Sequence, residues 1–118
     1  YPKSILDGFK KYSVQNNLEF KIIEEVTEQT KITPKNIFIT LEDDDLVKVV
    51  NKIKSSTYEL GKDIGVISYN DSPLKQLLGI SVITTNFSSM GEQAANMILQ
   101  KKKEIVKIPI NFIERTSL

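Results

Sequence analysis

Cysteine, histidine and tryptophan are absent from this chain of 118 residues, and its one arginine is Arg115. Without cysteine and histidine there are no disulfides, thiolate nucleophiles, imidazole bases or ordinary zinc ligands. The five glycines form no G-x-S-x-G, G-x-G-x-x-G or P-loop motif. The sequence therefore predicts a protein that is not an enzyme and that needs no cofactor.

An excess of charge of one sign is also lacking, because 16 Lys+Arg stand against 15 Asp+Glu. A DNA-reading surface usually carries a basic face with arginine forks for guanine, so this stretch is not expected to hold DNA by itself. No apolar run approaches the ~20 residues that span a bilayer, and the first residues show no signal-peptide pattern. We expect no membrane partner and a cytoplasmic location.

Hydrophobic periodicity predicts an alternation of helices and strands. Leu46, Val49, Val50 and Ile53 form one apolar stripe in the clearest helix, which Gly61 is expected to close with a left-handed residue. Pro73 is expected to open a shorter helix after the turn Asn70-Asp71-Ser72-Pro73. The predicted helices cover residues 4–17, 43–59, 73–78 and 89–102, and the predicted strands cover residues 20–26, 37–41, 64–69, 80–84 and 106–113.

Strand cores that are nearly continuous in valine and isoleucine are typical of a parallel sheet covered on both faces. The predicted fold class is therefore α/β, a Rossmann-like three-layer α/β/α lobe with a mostly parallel sheet, formed by residues 1–118. One connection is awkward. The ten residues between Val26 and Ile37 are fewer than a parallel crossover needs, so that link is expected to be trimmed or differently paired.

Polar clusters follow three of the predicted strands. They are Val26-Thr27-Glu28, Glu42-Asp43-Asp44 and Asn70-Asp71. Ligands of open parallel sheets bind beyond the carboxyl ends of the strands, so these side chains are candidates for accepting hydrogen bonds from a polar ligand. Simpler roles stay open, because the acidic group also suits a helix N-terminus and Asn70-Asp71 also suits a turn. A third alternative is a Mg²⁺ site, which requires Asp43, Asp71 and a lysine to meet.

Several apolar residues of the two middle helices have two interpretations. They either belong to the core or form a dimer interface, since surface helices with excess leucine often cover partners. The candidates are Val47, Val50, Leu74, Leu77 and Leu78.

Three strings in order resemble the sensor domain of LacI/GalR-type transcriptional regulators. They are G-K-D-I-G-V-I-S-Y-N-D-S-P-L, then I-S-V-I-T-T-N-F-S-S-M-G-E-Q-A-A, then I-E-R-T-S-L. The family pattern is roughly G-x-D-I-x-V-x-G-[FY]-D-D, then L-T-T and M-G-x-x-A, then R-x-S. The resemblance extends loosely to I-F-I-T-L-E-D-D-D-L and to I-L-D-G-F. Sensor domains joined to a GntR-type DNA-binding head are similar as well.

This resemblance implies a periplasmic-binding-protein-like lobe that binds a small effector, often a sugar, and that dimerises. By matching position, Asn70 stands where the family has a ligand-binding Asp, and Asp71 matches the second Asp. Asp43 matches the Asp of the earlier strand end, with Glu42 in place of Asn. Ile5 replaces the arginine that often grips the effector, and Ser68 replaces glycine.

The same resemblance implies a larger protein. Operator DNA is expected to be bound only through an N-terminal head that lies outside this stretch, as does most of the other lobe. In the family the helix from about Ser88 belongs to that other lobe. Phe87, Met90, Met97 and Ile98 are therefore expected to pack on the present sheet or on a neighbouring chain. A lobe of a secreted solute-binding protein and a Mg²⁺-dependent signalling domain are the alternative functions.

Overall fold

A computed structural model describes residues 3–85, 92, 95 and 110–118 of the chain. The chain divides into two compact units, Tyr1–Thr30 and Lys31–Leu118, which are described separately. No helix among the described residues has the length and apolar character needed to cross a membrane.

The first unit contains one helix, α1, which spans Lys3–Gln15. Ser13 is buried, and the ring of Phe9 meets the ring of Phe20 edge to face with centroids 5.5 Å apart. The predicted helix over residues 4–17 is thus confirmed to within two residues. It ends before Asn17, whose φ of 54° is left-handed.

The strand predicted over residues 20–26 is wrong. These residues have no strand assignment, and the sheet pairs four other segments of the described chain. A β-branched run becomes a strand only when a neighbour satisfies its backbone hydrogen bonds. Val26 is buried, whereas Phe20, Ile22 and Ile23 are about 40% exposed. The awkward link before residue 37 therefore joins no pair of strands in this sheet.

The second unit is built on a four-stranded sheet with the order β1-β2-β3-β4. Its strands are β1 (Ile37–Thr40), β2 (Gly65–Tyr69), β3 (Ser81–Thr85) and β4 (Ile110–Ile113). The first three run parallel, and β4 pairs with β3 in the antiparallel sense. Parallel pairing places the carboxyl ends of β1, β2 and β3 at one edge of the sheet. The predicted fold class, α/β with a mostly parallel Rossmann-like sheet, is confirmed.

Helix α2 spans Asp43–Lys54 and buries the predicted stripe of Leu46, Val49, Val50 and Ile53. It is five residues shorter than predicted. The Ser56 hydroxyl donates to the Ile53 carbonyl at 2.6 Å, and such side-chain bonds compete with continuation of a helix.

Gly61 is left-handed, with a φ of 87°, but it lies beyond the helix end instead of closing it. The backbone carbonyl of Thr116 occupies the space that a Cβ at residue 61 would fill. Glycine is therefore required here because the end of the chain packs against it.

Helix α3 spans Pro73–Leu78, as predicted. The Ser72 hydroxyl accepts the Lys75 amide at 3.2 Å, Pro73 opens the helix, and left-handed Gly79 ends it. The connections from β1 to β2 and from β2 to β3 advance across the sheet in the same direction. Because such crossovers are right-handed, α2 and α3 are placed on the same face of the sheet. The buried core includes Val66, Val82, Ile64 and Ile80.

The helix predicted from Ser89 to about Lys102 lies outside the described residues, apart from Glu92 and Ala95. The expectation for Phe87, Met90, Met97 and Ile98 falls outside them as well. The last predicted strand, over residues 106–113, is described only from Ile110 onward and is a strand there.

Candidate functional site: a polar cavity at the carboxyl edge of the sheet

The start of α2 forms one wall of the candidate site. Glu42 is the N-cap residue, but its side chain makes no capping bond, and the acidic residues Asp43 to Asp45 occupy the first turn. Carboxylates there are favoured by the positive end of the helix dipole. The predicted helix-capping role thus holds for charge at the helix end but not for a hydrogen bond from Glu42. The carboxylates of Glu42, Asp43 and Asp44 remain exposed.

The turn after β2 forms the facing wall. Asn70 has a φ of 69°, a left-handed conformation that asparagine tolerates better than most residues. Its amide donates to the Ile83 carbonyl at 2.8 Å, and the Asp71 amide donates to the Thr84 hydroxyl at 3.2 Å. These two bonds join the turn to the end of β3. The carboxamide of Asn70 is exposed at the carboxyl edge of the sheet.

Lys75 joins the two walls. Only 4% of the residue is exposed, and its ammonium donates to the carbonyls of Tyr69 and Asn70 at 3.1 and 2.7 Å. The same nitrogen lies 2.9 Å from an oxygen of Asp43. An ammonium has three hydrogens to donate, and these contacts use all three. Lys75 thereby fixes the end of β2 to the first turn of α2 and keeps no donor for an anion.

Between these walls lies an open cavity of about 340 Å³. Carboxylate, amide, hydroxyl and phenol groups dominate its lining. The lining residues are Leu41, Glu42, Asp43, Asp44, Tyr69, Asn70, Asp71, Ser72 and Lys75. The structure thus brings together all four predicted ligand-binding residues: Glu42, Asp43, Asn70 and Asp71. Their role in binding a ligand stays a prediction.

Asp71 differs from the other three because its oxygens are fully used. The two guanidinium nitrogens of Arg115 each donate to one oxygen of Asp71 at 2.8 Å. The Ser72 amide and the Gln76 side chain donate to the same oxygens at 2.9 and 3.2 Å. A carboxylate has about four acceptor sites, so Asp71 has none left for a ligand. Asp71 is better explained as a structural anchor of the turn than as a ligand contact.

The pKa of Asp71 reflects this arrangement. Hydrogen bonding to Arg115 lowers it from the ordinary 3.8 to about 2, against the opposing effect of burial. The same pairing raises the pKa of Arg115. The carboxylate therefore stays charged under all physiological conditions.

The structure disfavours the Mg²⁺ alternative. Asp43 and a lysine do meet, as that alternative requires, but the Lys75 ammonium repels a cation there and already contacts one oxygen of Asp43 and the carbonyl oxygens of Tyr69 and Asn70. The acceptor sites of Asp71 are occupied by Arg115, Ser72 and Gln76. Within the part of the chain that the structure describes, no group of three or more acidic side chains is placed to hold a metal ion.

The third polar cluster, Val26-Thr27-Glu28, belongs to the first unit and does not follow a strand. The reasoning that made it a candidate, a position at a strand's carboxyl end, therefore fails.

Among the apolar candidates, Val50 is 8% exposed and belongs to the core, so it is not available as a dimer contact. The other four are not core residues. Val47, Leu74, Leu77 and Leu78 are 54%, 62%, 82% and 44% exposed. The residue that α3 buries is Lys75.

Sequence reasoning did not assign roles to Tyr69, Lys75 and Arg115. Tyr69 occupies the [FY] position of the resemblance and Arg115 opens its closing R-x-S, so a signal was present for both. Lys75 follows Ser72 by three residues, and nothing local in the sequence indicates that its ammonium is buried.

Comparison with known proteins finds a likeness to a solved structure. No family model matches the chain, and no curated protein matches it either. The chain is similar to the crystal structure of a candidate transcription regulator from Staphylococcus saprophyticus subsp. saprophyticus, with 26% identity and a TM-score of 0.52. The match covers 70% of this chain and 32% of that structure, so the chain corresponds to about a third of its length.

Proposed function

We propose that this chain is the effector-binding and dimerisation portion of a bacterial transcriptional regulator of the LacI/GalR type, or of a GntR-headed regulator with a similar sensor domain. The observation that carries the proposal is the polar cavity at the carboxyl edge of the sheet, where Asp43 and Asn70 line one space. That edge is where open parallel sheets bind small ligands. The similarity to a candidate transcription regulator supports the regulatory role.

The ligand we propose is small, uncharged and rich in hydroxyl groups, as a sugar is. Glu42, Asp43 and Asp44 offer exposed carboxylates, and Asn70 offers an amide that both donates and accepts. Tyr69, an aromatic residue, lines the cavity beside them. An anionic ligand is disfavoured, because Lys75, the one cation among the described residues that line the cavity, has already used its three donors.

Dimerisation is proposed to use the exposed apolar residues of the helical face. Val47 on α2 and Leu74, Leu77 and Leu78 on α3 are all more than two-fifths exposed, and both helices cover the same face of the sheet. Covering them with a second copy of the chain removes apolar surface from water. Operator DNA is proposed to bind through a separate N-terminal head, in a cytoplasmic protein whose cavity performs no catalysis.

Thermal unfolding in the presence of individual sugars tests the proposal. D-Ribose, D-glucose, D-fructose, D-galactose and glycerol serve as probes, with glucose 6-phosphate as an anionic comparison. A bound sugar at 100 times its Kd stabilises the folded state by about 2.7 kcal/mol. We expect one or more neutral probes to raise the Tm and the phosphate to have no effect.

Two variants locate the effect in the cavity. Replacing Asp43 and Asn70 together by alanine is expected to abolish the rise in Tm, whereas dimer formation in sedimentation experiments survives. Glu59→Ala removes an exposed carboxylate that does not line the cavity and should leave the rise intact. Stabilisation that persists in the double variant would contradict the proposed site.

A further inference from the structure

The end of the chain, Arg115–Leu118, is held firmly at the starts of β2 and β3. Ser117 is fully buried, and its hydroxyl donates to the Val66 carbonyl and accepts the Ser81 amide, both at 2.7 Å. The Val66 amide donates to the Ser117 carbonyl at 2.8 Å, and the Ser117 amide donates to the Gly79 carbonyl at 2.9 Å. This C-terminal segment therefore has a fixed position on the sheet, at a distance from the cavity set by the length of the strands.

Arg115 extends from this segment to the cavity wall. Its amide donates to the Ser81 hydroxyl at 2.8 Å, and one guanidinium nitrogen donates to the Ile80 carbonyl at 2.9 Å. The same guanidinium makes the two-pronged contact with Asp71. Planar, two-bond pairing of this kind fixes orientation as well as distance. The backbone amide and the guanidinium of Arg115 are both held by hydrogen bonds, so its side chain has a fixed position between the C-terminal segment and the turn after β2.

The turn after β2, which Arg115 contacts through Asp71, includes a residue with an uncommon backbone conformation. Asn70 is left-handed, and a non-glycine residue keeps such a conformation only when its surroundings determine it. Asp71, its neighbour, is held by Arg115 through the side chain and by Thr84 through the backbone. Ser72, the next residue, donates its amide to Asp71 and caps the helix that carries Lys75.

We propose that Arg115 is a positioning residue for the polar cavity, which acts through Asp71 to hold Asn70 in the left-handed conformation that places its carboxamide on the cavity wall. Arg115 thereby sets the geometry of the cavity through Asp71, which is 44 residues away in the sequence. This inference rests on the proposed function in taking the cavity as the binding site. Arg115 itself is not among the residues that line the cavity.

Nuclear magnetic resonance of the ¹⁵N-labelled full chain, without ligand, tests the proposal. The three-bond coupling between the amide and Hα protons of Asn70 reports its φ, and the shifts of its side-chain amide report the carboxamide environment. Arg115→Lys keeps the positive charge but loses the two-pronged geometry. Asp71→Asn breaks the same pair from the cavity side and preserves the shape of the side chain.

The matched control is Ile53→Val, which removes one buried methyl group at the far end of α2 and lowers stability without touching the turn. We expect Arg115→Lys and Asp71→Asn to change the coupling and side-chain shifts of Asn70, and Ile53→Val to leave both unchanged although it also lowers the Tm. Asn70 signals that are unaltered in both pair-breaking variants, or altered equally in the control, would reject the positioning role. Because no ligand is added, that result would leave effector binding to be decided by the sugar titrations.

Discussion

Two ion pairs flank the cavity, and they have nearly the same contact distance but very different surroundings. Lys75 lies 2.9 Å from Asp43, and Arg115 lies 2.8 Å from Asp71. The side chains of the second pair are 17% and 15% exposed, whereas Asp43 is 76% exposed beside a lysine that is 5% exposed. Distance alone therefore does not distinguish a structural pair from one that a ligand can approach.

The difference divides the roles of the two walls. Asp71 has every acceptor site occupied and anchors the turn after β2. Asp43 points its carboxylate into solvent from the first turn of α2, where a ligand can compete for it. One wall is thus held in place, and the other presents exposed acceptors, which is the arrangement expected of a site that keeps its shape when empty.

Breaking the buried pair should have the largest effect. Arg115→Met leaves the half-buried Asp71 carboxylate without its strongest partner and removes the guanidinium that donates to the Ile80 carbonyl. Removing one partner of a fully buried pair costs about 3–5 kcal/mol; Asp71 keeps some contact with solvent, so we expect a loss of about 2–3 kcal/mol in the free energy of unfolding. Urea unfolding measures it. Lys62→Met, at an exposed lysine, is the control, and a loss no larger than in that control would contradict the assignment.

The same pair should produce a slightly smaller dependence on pH. Because the pKa of Asp71 is about 2 in the folded chain and 3.8 ordinarily, its ionised form contributes stability above pH 3.8. That contribution, about 2 kcal/mol at roughly 1.4 kcal/mol for each pH unit, is lost as the pH falls from about 4 towards 2. The measurement is the free energy of unfolding at each pH for the wild type minus that for Asp71→Asn. A difference that stays constant between pH 5 and pH 2 would show that the pair does not lower the pKa.

The elements with local signals could be predicted from the sequence. Ser72, Pro73 and Gly79 mark the ends of α3 by chemistry that acts within a few residues. The apolar stripe of α2 and the isoleucine-rich strands are local in the same sense. Since parallel strands end at one edge, the sequence also predicted that Asp43 and Asn70 would lie together.

The remaining features depend on partners far away in sequence. Phe20 to Val26 has strand-like residues but no neighbouring strand to pair with among the described segments. Leu74 and Leu77 are exposed because the short helix turns another side, that of Lys75, towards two backbone carbonyls. The sequence of α3 alone does not show which side of the helix is buried, because that depends on the carbonyl groups at the end of β2. The role of Arg115 likewise depends on a contact spanning 44 residues.

Breaking the exposed pair should have the smallest effect on stability. Asp43→Asn removes the charge that faces Lys75 but leaves an oxygen that accepts from the same ammonium. Because the Asp43 side of the pair is 76% exposed, we expect the free energy of unfolding to fall by less than about 1 kcal/mol, the upper end for exposed ion pairs, with the difference shrinking as salt is added. Urea unfolding of Asp43→Asn and Asp71→Asn side by side makes the comparison direct. Equal losses in the free energy of unfolding would mean that Asp43 contributes as much to the stability of the fold as Asp71 does. Asp43 would then be a structural residue and not a carboxylate available to a ligand.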